Sequence, residues 1–161
     1  MQMTREALVM SRELLADARS KMAAMDAERS PAQSNALLPC LLAYMAGSFV
    51  HHFHNAQFID QYPNMPTGFP PAIAYVVWGT VTLVGLAGYY AVRRGRELVG
   101  FAVLALYAAY GLLVLGHYKL APMSAHTLGA NVTIWLELVT AVLLLGTVVV
   151  SLVHGRDVAK G

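Results

Sequence analysis

The order of apolar and polar residues divides the chain into a polar N-terminal arm and four long apolar segments. The apolar segments cover residues 36–54, 72–92, 98–117 and 125–153. A helix needs about 20 residues, at a rise of 1.5 Å each, to cross the hydrocarbon layer of a bilayer. Short connections favour antiparallel packing of neighbouring helices. The pattern predicts an all-α integral membrane protein, with a four-helix transmembrane bundle of up-down-up-down topology over residues 35–154.

The polar arm has a periodicity of its own over residues 4–29. Leu8, Leu15 and Met22 recur every seven residues, which places them on one stripe of a helix. We predict a cytoplasmic amphipathic helix within residues 1–34, which lies on the membrane surface or packs on a partner. A solvated helix with one weakly apolar face is the alternative. Pro31 disfavours helix at the residue before it and ends the segment.

Composition supports lipid as the solvent for most of the chain. The sequence is 57% apolar and 12% charged, whereas soluble domains are about 25% charged. The net charge of +2 is small, and there is no nucleic-acid-binding motif, so nucleic acid is excluded as a partner. Gly85 and Gly88 in the second apolar segment are expected to permit close helix packing.

The distribution of lysine and arginine predicts the orientation of the helices. Of 11 such residues, all but one fall in the N-terminal arm, in the turn after the second segment or in the tail after residue 154. With four spans these three regions share one side of the membrane, and Lys119 alone lies on the other. Because cytoplasmic loops carry the excess of basic residues, we expect both termini in the cytoplasm and insertion in the cell (inner) membrane.

Histidines are the candidate functional residues, because the predicted topology gathers most of them. The chain has 6 histidines. The first segment ends with His51, His52 and His54, the third ends with His117, and the fourth begins with His126. These five are expected at the outer face of the membrane, and only His154 is expected at the cytoplasmic end.

Helical spacing predicts which of these side chains point inward. Residues three or four apart share a helix face, and this groups the polar residues of three segments into three stripes. The stripes are Tyr44, Ser48, His51 and Asn55; Tyr107, Tyr110 and His117; and His126, Thr133, Glu137 and Thr140. His52 is expected to point elsewhere. Together the stripes predict a polar column in the outer half of the bundle.

Two acidic residues are candidates to support the histidines. Glu137 lies 11 positions after His126, roughly 16 Å along a helix, and therefore within the hydrocarbon layer. Intramembrane carboxylates are costly and mark functional sites, although a protonated, purely structural glutamate is the alternative. Asp60 lies in the outer loop and could be an oxygen ligand or orient an imidazole, with a solvated loop charge as the alternative. The stretch from Tyr62 to Pro66 predicts a rigid, turn-rich cap.

Neutral imidazoles suit copper, zinc, iron and nickel. We therefore predict a transition-metal site, with copper, zinc or iron held by His51, His54, His117 and His126. Asn55, Asp60, Glu137 and Tyr110 are its predicted supporting or proton-handling residues. Haem is a further option, held by His54 with His117 or His126, although there is no Cys-x-x-Cys-His motif. The site would serve metal delivery or a redox step. The residues do not decide whether the protein is an enzyme.

Two other functions are compatible with the same residues. The protein could be a non-catalytic accessory subunit of a larger membrane complex, with histidines that merely bond to headgroups and water. It could also be a quinone- or proton-handling subunit that uses His126 and Glu137 without a metal. In every case the bilayer is a partner, and the apolar helix faces predict a homo-oligomer or a place in a larger complex.

Overall fold

The structure, a computed structural model, is helical in all its regular elements. It describes residues 2–28, 31–65, 68 and 70–158, and the side chains of residues 10–22, 24, 36–65, 68 and 70–153. No strand occurs in these ranges. The α-helices are α1 (Gln2–Glu28), α2 (Pro31–Gln57), α3 (Pro71–Arg93), α4 (Glu97–Gly111), α5 (His117–Leu120) and α6 (Leu128–Val158). Short 3-10 turns cover Ile59–Gln61, Leu112–Gly116 and Met123–Ala125.

The chain forms two compact units, residues 1–35 and residues 36–161. The first unit contains α1, which occupies the predicted helical arm. Its described apolar side chains, including Leu15 and Met22, are exposed. The side chain of Leu8, the first member of the predicted stripe, lies outside the described residues, as does that of His154 in the second unit.

Four helices of the second unit are long and apolar enough to span a membrane. They cover Ala36–Gln57, Pro71–Arg93, Glu97–Leu120 and Leu128–Val153, which confirms long apolar helices at the four predicted segments. The first ends three residues later than predicted, and the fourth begins three residues later. Many large apolar side chains on these helices face outward, such as Leu83 at 67% and Leu106 at 71% exposure. Lipid is the solvent that makes such a surface stable.

The third span changes its winding before it ends. The regular helix α4 stops at Gly111, five residues of 3-10 helix follow, and α5 then begins at His117. A 3-10 turn has three residues per turn rather than 3.6. This tighter winding alters the direction in which His117 leaves the helix, compared with a continuous α-helix from Glu97.

The core of the second unit forms where the four spans meet. Leu41 of α2, Leu104 of α4 and Leu144 of α6 are fully buried there. The ring of Tyr107 packs on that of Tyr44, with 4.6 Å between centroids. A Cβ atom at Gly85 would lie 2.5 Å from the Tyr107 ring, so only glycine permits this approach of α3 to α4. The prediction of close helix packing is confirmed there and at Gly88, where a Cβ atom would lie 3.0 Å from Val103.

Candidate functional site

The polar stripe of α2 is buried, as its helical spacing predicts. Ser48 is 0% exposed, His51 3% and Asn55 8%. Each is separated from the next by three or four residues, so one face of the helix carries all of them. That face packs against α6, because a Cβ atom at Gly47 would lie 2.6 Å from Oγ1 of Thr140. The close approach of the two helices brings the stripe of α2 against the stripe of α6.

Glu137 is the residue of α6 on which the α2 stripe converges. It is 2% exposed, and its Oε1 accepts a hydrogen bond of 3.0 Å from the Ser48 hydroxyl. Its other oxygen, Oε2, is buried without a hydrogen-bond partner among the described residues. Oε2 lies 3.9 Å from Nε2 of His51. This distance is too long for a hydrogen bond, so the two atoms face each other across a gap.

His52 does not point away from this group, and the prediction that it does is wrong. Its Nδ1 lies 4.0 Å from Oε2 of Glu137 and 2.9 Å from the backbone oxygen of Ser48. A carbonyl oxygen only accepts, so Nδ1 of His52 carries the proton of that bond. The bond turns the His52 ring back along α2 and thereby brings it close to the polar stripe of that helix.

His117 and His126 complete a row of three imidazoles with His51. The ring centroids of His51 and His117 are 5.2 Å apart, and those of His117 and His126 are 6.4 Å apart. His126 is 7% exposed, and its Nδ1 lies 3.1 Å from the carbonyl oxygen of Pro122. Nδ1 therefore donates a proton to that carbonyl, and Nε2 carries a free lone pair. This Nε2 is buried without a partner among the described residues.

Tyr62 lies at the centre of the site, whereas the sequence predicted it only as part of a turn-rich cap. Its ring is 2% exposed and lies against four imidazoles. The centroid distances are 4.9 Å to His117, 5.7 Å to His54, 5.8 Å to His51 and 6.4 Å to His126. Tyr62 stands in irregular chain after a 3-10 turn, where no periodicity indicates which way a side chain points. Only the fold reveals this role.

His54 stands apart from the row of three imidazoles. Among the described residues, the rings packed against it are those of Phe58 and Tyr62. Its Nδ1 bonds to the Tyr62 hydroxyl at 2.9 Å. Its Nε2 lies over the backbone of Gly129, where a Cβ atom would come within 2.9 Å. His54, a predicted metal ligand, thus contacts Tyr62 as the row of three imidazoles does, but it is not part of that row.

The hydroxyl of Tyr62 lies in a hydrogen-bonded chain and remains protonated. Burial raises the pKa of Tyr62 to about 12, although its hydrogen bond with Thr133 opposes this shift. The Tyr62 hydroxyl lies 3.2 Å from Oγ1 of Thr133, which in turn lies 3.4 Å from Nδ1 of His51. A chain of polar groups therefore runs from the half-buried His54 to the buried His51.

Hydrogen bonds to other elements fasten the segment that carries Tyr62. The side-chain oxygen of Gln61 accepts a bond of 2.8 Å from Thr127. The side-chain amide of Asn64 donates a bond of 2.8 Å to the carbonyl of Leu120. Asn64 has φ of 62°, a conformation that asparagine tolerates better than most residues. The described part of the predicted cap is thus anchored on both sides of Tyr62, whereas Pro66 lies outside the described residues.

The other predicted supporting residues occupy different positions. Asn55 is buried in the α2 stripe, and its Oδ1 has no partner among the described residues. Tyr110 is half-buried on α4, whereas its neighbour on the predicted stripe, Tyr107, is buried. Asp60 is exposed in the 3-10 turn after α2. The structure thus gives Asn55, rather than Asp60, a buried place near the histidines.

The side chains around Tyr62 lie close to one another, but in these positions they do not form a complete metal-binding site. Within the part of the chain described, no group of three or more His, Cys, Asp or Glu side chains could hold a metal ion without movement. Two atoms of this group, Nε2 of His126 and Oε2 of Glu137, are nevertheless buried without a hydrogen-bond partner among the described residues. Such atoms are costly to bury, and a cation would relieve that cost.

Comparison with models of protein families, with curated proteins and with solved structures found no match for this chain.

Proposed function

We propose that this membrane protein binds a transition metal ion between His51 and Glu137, with His117 and His126 as further ligands. This revises the ligand set expected from the sequence, because Glu137 enters it and His54 leaves it. The bound metal would serve delivery to another protein or a redox step at the same face.

The observation that carries the proposal is the gap of 3.9 Å between Nε2 of His51 and Oε2 of Glu137. We assign the His51 proton to Nδ1, because Thr133 already donates its own proton to the carbonyl of Ala130 at 3.0 Å. Nε2 then faces a carboxylate with its lone pair. Two buried acceptors repel each other unless the carboxyl is protonated or a cation lies between them. Metal bonds of about 2.0–2.2 Å to nitrogen and oxygen require the two atoms to be roughly 3–4 Å apart.

The two other histidines have suitable positions to complete the coordination. Two imidazoles that share one tetrahedral ion have ring centroids about 5 Å apart, given metal–nitrogen bonds near 2.0–2.1 Å. The distance of 5.2 Å between His51 and His117 meets this condition. The distance of 6.4 Å from His117 to His126 exceeds it by about 1 Å. The His126 ring would therefore have to move toward the other two ligands.

The donor set favours a first-row transition metal rather than magnesium or calcium. Three imidazoles with one carboxylate suit zinc, iron or copper, whereas the alkaline-earth cations prefer oxygen ligands. Haem is less favoured, because a macrocycle between His54 and His117 or His126 would displace the buried ring of Tyr62.

We further propose that the four spans alternate in direction and that both termini are cytoplasmic, with α1 as an amphipathic helix on the inner membrane surface. The excess of basic residues in the arm, in the turn after α3 and in the tail supports this orientation. The metal site would then lie at the outer face.

Elemental analysis tests the function on full-length protein purified in detergent without a histidine tag. We expect about one zinc, iron or copper ion per chain. The double variant His51→Ala/His126→Ala should lose this ion. The matched control is His54→Ala, a change of the same chemistry at a histidine outside the proposed ligand set, which should retain the ion.

Two results would contradict the proposal. Full metal content in the double variant would remove the ligand assignment. Wild-type protein without metal, after reconstitution with Zn²⁺, Fe²⁺ or Cu²⁺ in turn, would overturn metal binding and leave proton handling through Glu137 or an accessory role.

A further inference from the structure

We propose that Thr133 and Tyr62 are positioning residues, which set the direction of the His51 lone pair and thereby the strength and geometry of metal binding. This inference rests on the proposed metal site. Neither residue touches the ion in it; Thr133 bonds to His51, and Tyr62 acts on His51 through its bond to Thr133.

The buried Thr133 hydroxyl meets three polar groups. It is 3.0 Å from the carbonyl of Ala130, 3.2 Å from the Tyr62 hydroxyl and 3.4 Å from Nδ1 of His51. A threonine hydroxyl has one proton and two lone pairs, so the three contacts use its full capacity. The side chain is 6% exposed, which leaves little room for water to substitute for any of them.

With all three contacts taken as hydrogen bonds, the number of protons assigns a direction to each of them. The carbonyl of Ala130 only accepts, so it takes the Thr133 proton. Both remaining partners must then donate to Thr133, and these are Tyr62 through its hydroxyl and His51 through Nδ1. The Tyr62 oxygen in turn accepts from Nδ1 of His54 at 2.9 Å. Both histidines therefore carry their proton on Nδ1 and present Nε2 as a lone pair.

His51, His54 and His126 thus all carry their proton on Nδ1, but different groups accept the hydrogen bond from it. The anchor of His126 is the carbonyl of Pro122, whereas His51 and His54 share the hydroxyl chain through Thr133 and Tyr62. Metal-bound histidines usually donate their second nitrogen to a fixed acceptor, which orients the ring and raises its basicity. Loss of such an acceptor typically weakens metal binding about 10- to 100-fold.

Four variants test the inference. Thr133→Val removes the hydroxyl but keeps the shape, Thr133→Ser keeps the hydroxyl, and Tyr62→Phe keeps the ring without its hydroxyl. The matched control is Thr147→Val on the same helix, where the hydroxyl bonds to Leu143 and Cys40 far from the histidines. Zn²⁺ affinity is measured by competition with a chromogenic chelator, and the visible spectrum of bound Co²⁺ reports the coordination geometry. Thermal unfolding without metal shows whether each variant folds.

We expect Thr133→Val to bind Zn²⁺ about 10- to 100-fold more weakly and to change the Co²⁺ spectrum. Thr133→Ser should restore most of the affinity and the wild-type spectrum. Tyr62→Phe should fall between them, because Thr133 can still accept from His51. Thr147→Val should match wild type. If Thr133→Val does not fold, the comparison of Thr133→Ser with Tyr62→Phe still tests the inference. A positioning role requires Thr133→Ser to bind Zn²⁺ more tightly than Tyr62→Phe.

The possible outcomes distinguish failure of the positioning role from failure of metal binding itself. Wild-type protein that binds neither Zn²⁺ nor Co²⁺ overturns both. Wild-type protein that binds them, together with a Thr133→Val variant of unchanged affinity and spectrum, overturns only the positioning role. A variant that loses affinity in proportion to a fall in unfolding temperature, with an unchanged Co²⁺ spectrum, would indicate a purely structural threonine and also overturn the inference.

Discussion

The hydroxyl of Ser48 donates a 3.0 Å hydrogen bond to one oxygen of Glu137, while the other oxygen is buried without a partner. The bond joins α2 to α6 and fixes the carboxylate beside His51. A carboxylate used only for structure would be expected to satisfy both oxygens, because an unpaired buried acceptor costs about 1–3 kcal/mol. The free Oε2 of Glu137 is the feature on which the proposed metal site depends.

The variant Glu137→Gln should separate function from stability. The amide keeps the size of the side chain and an oxygen for Ser48, but it removes the charge. We expect metal affinity to fall at least about 10-fold, while metal-free protein unfolds at the same or a higher temperature. Without metal the buried carboxylate has no charged partner at bonding distance among the described residues, and an unpaired buried charge is costly, so its removal should not destabilise the fold. The measurements are Zn²⁺ competition and thermal unfolding in detergent.

A matched control for Glu137→Gln is Asp60→Asn, the same chemical change at an exposed position. It should alter neither quantity. A Glu137→Gln protein with reduced stability and unchanged Zn²⁺ affinity would show instead that the glutamate is a structural hydrogen-bond acceptor.

Gly111 should be intolerant of even one methyl group. A Cβ atom there would lie 2.5 Å from the Tyr44 hydroxyl oxygen and 2.7 Å from Cβ of Ala141. Because α2 and α6 both meet α4 at this point, Gly111→Ala should destabilise the bundle by about 1–3 kcal/mol through overpacking. Thermal unfolding measures the effect. At Gly116, five residues later, an added Cβ meets nothing within 4 Å, so Gly116→Ala is the control. Equal unfolding temperatures of both variants would contradict the packing described.

The proposed orientation predicts which single cysteines a membrane-impermeant maleimide reaches in intact cells. In a Cys40→Ser background, Ser124→Cys lies exposed between the third and fourth spans and should be labelled directly. Arg96→Cys lies exposed in the basic turn after α3 and should be labelled only after the cells are permeabilised. The reverse pattern would place the histidines in the cytoplasm, and labelling of both in intact cells would contradict a four-span topology.

The sequence by itself determined the four long apolar helices and many of their buried polar residues. Hydropathy identifies a membrane span because lipid offers no hydrogen bonds, so about 20 apolar residues in a row must form a helix. The helical period also showed that Ser48, His51 and Glu137 face inward, since residues three or four apart share a face. These conclusions need only local geometry and the nature of the solvent.

Tertiary structure decided which of these side chains meet. His52 approaches Glu137 because its ring bonds back to Ser48, which helical spacing alone did not indicate. Tyr62 fills the space between the histidines because its neighbours Gln61 and Asn64 bond to Thr127 and Leu120. Irregular chain has no period from which the direction of a side chain could be predicted. The Tyr62 ring separates His54 from the row formed by His51, His117 and His126. Contacts of this kind join residues distant in sequence, and only the packing of the helices fixes them.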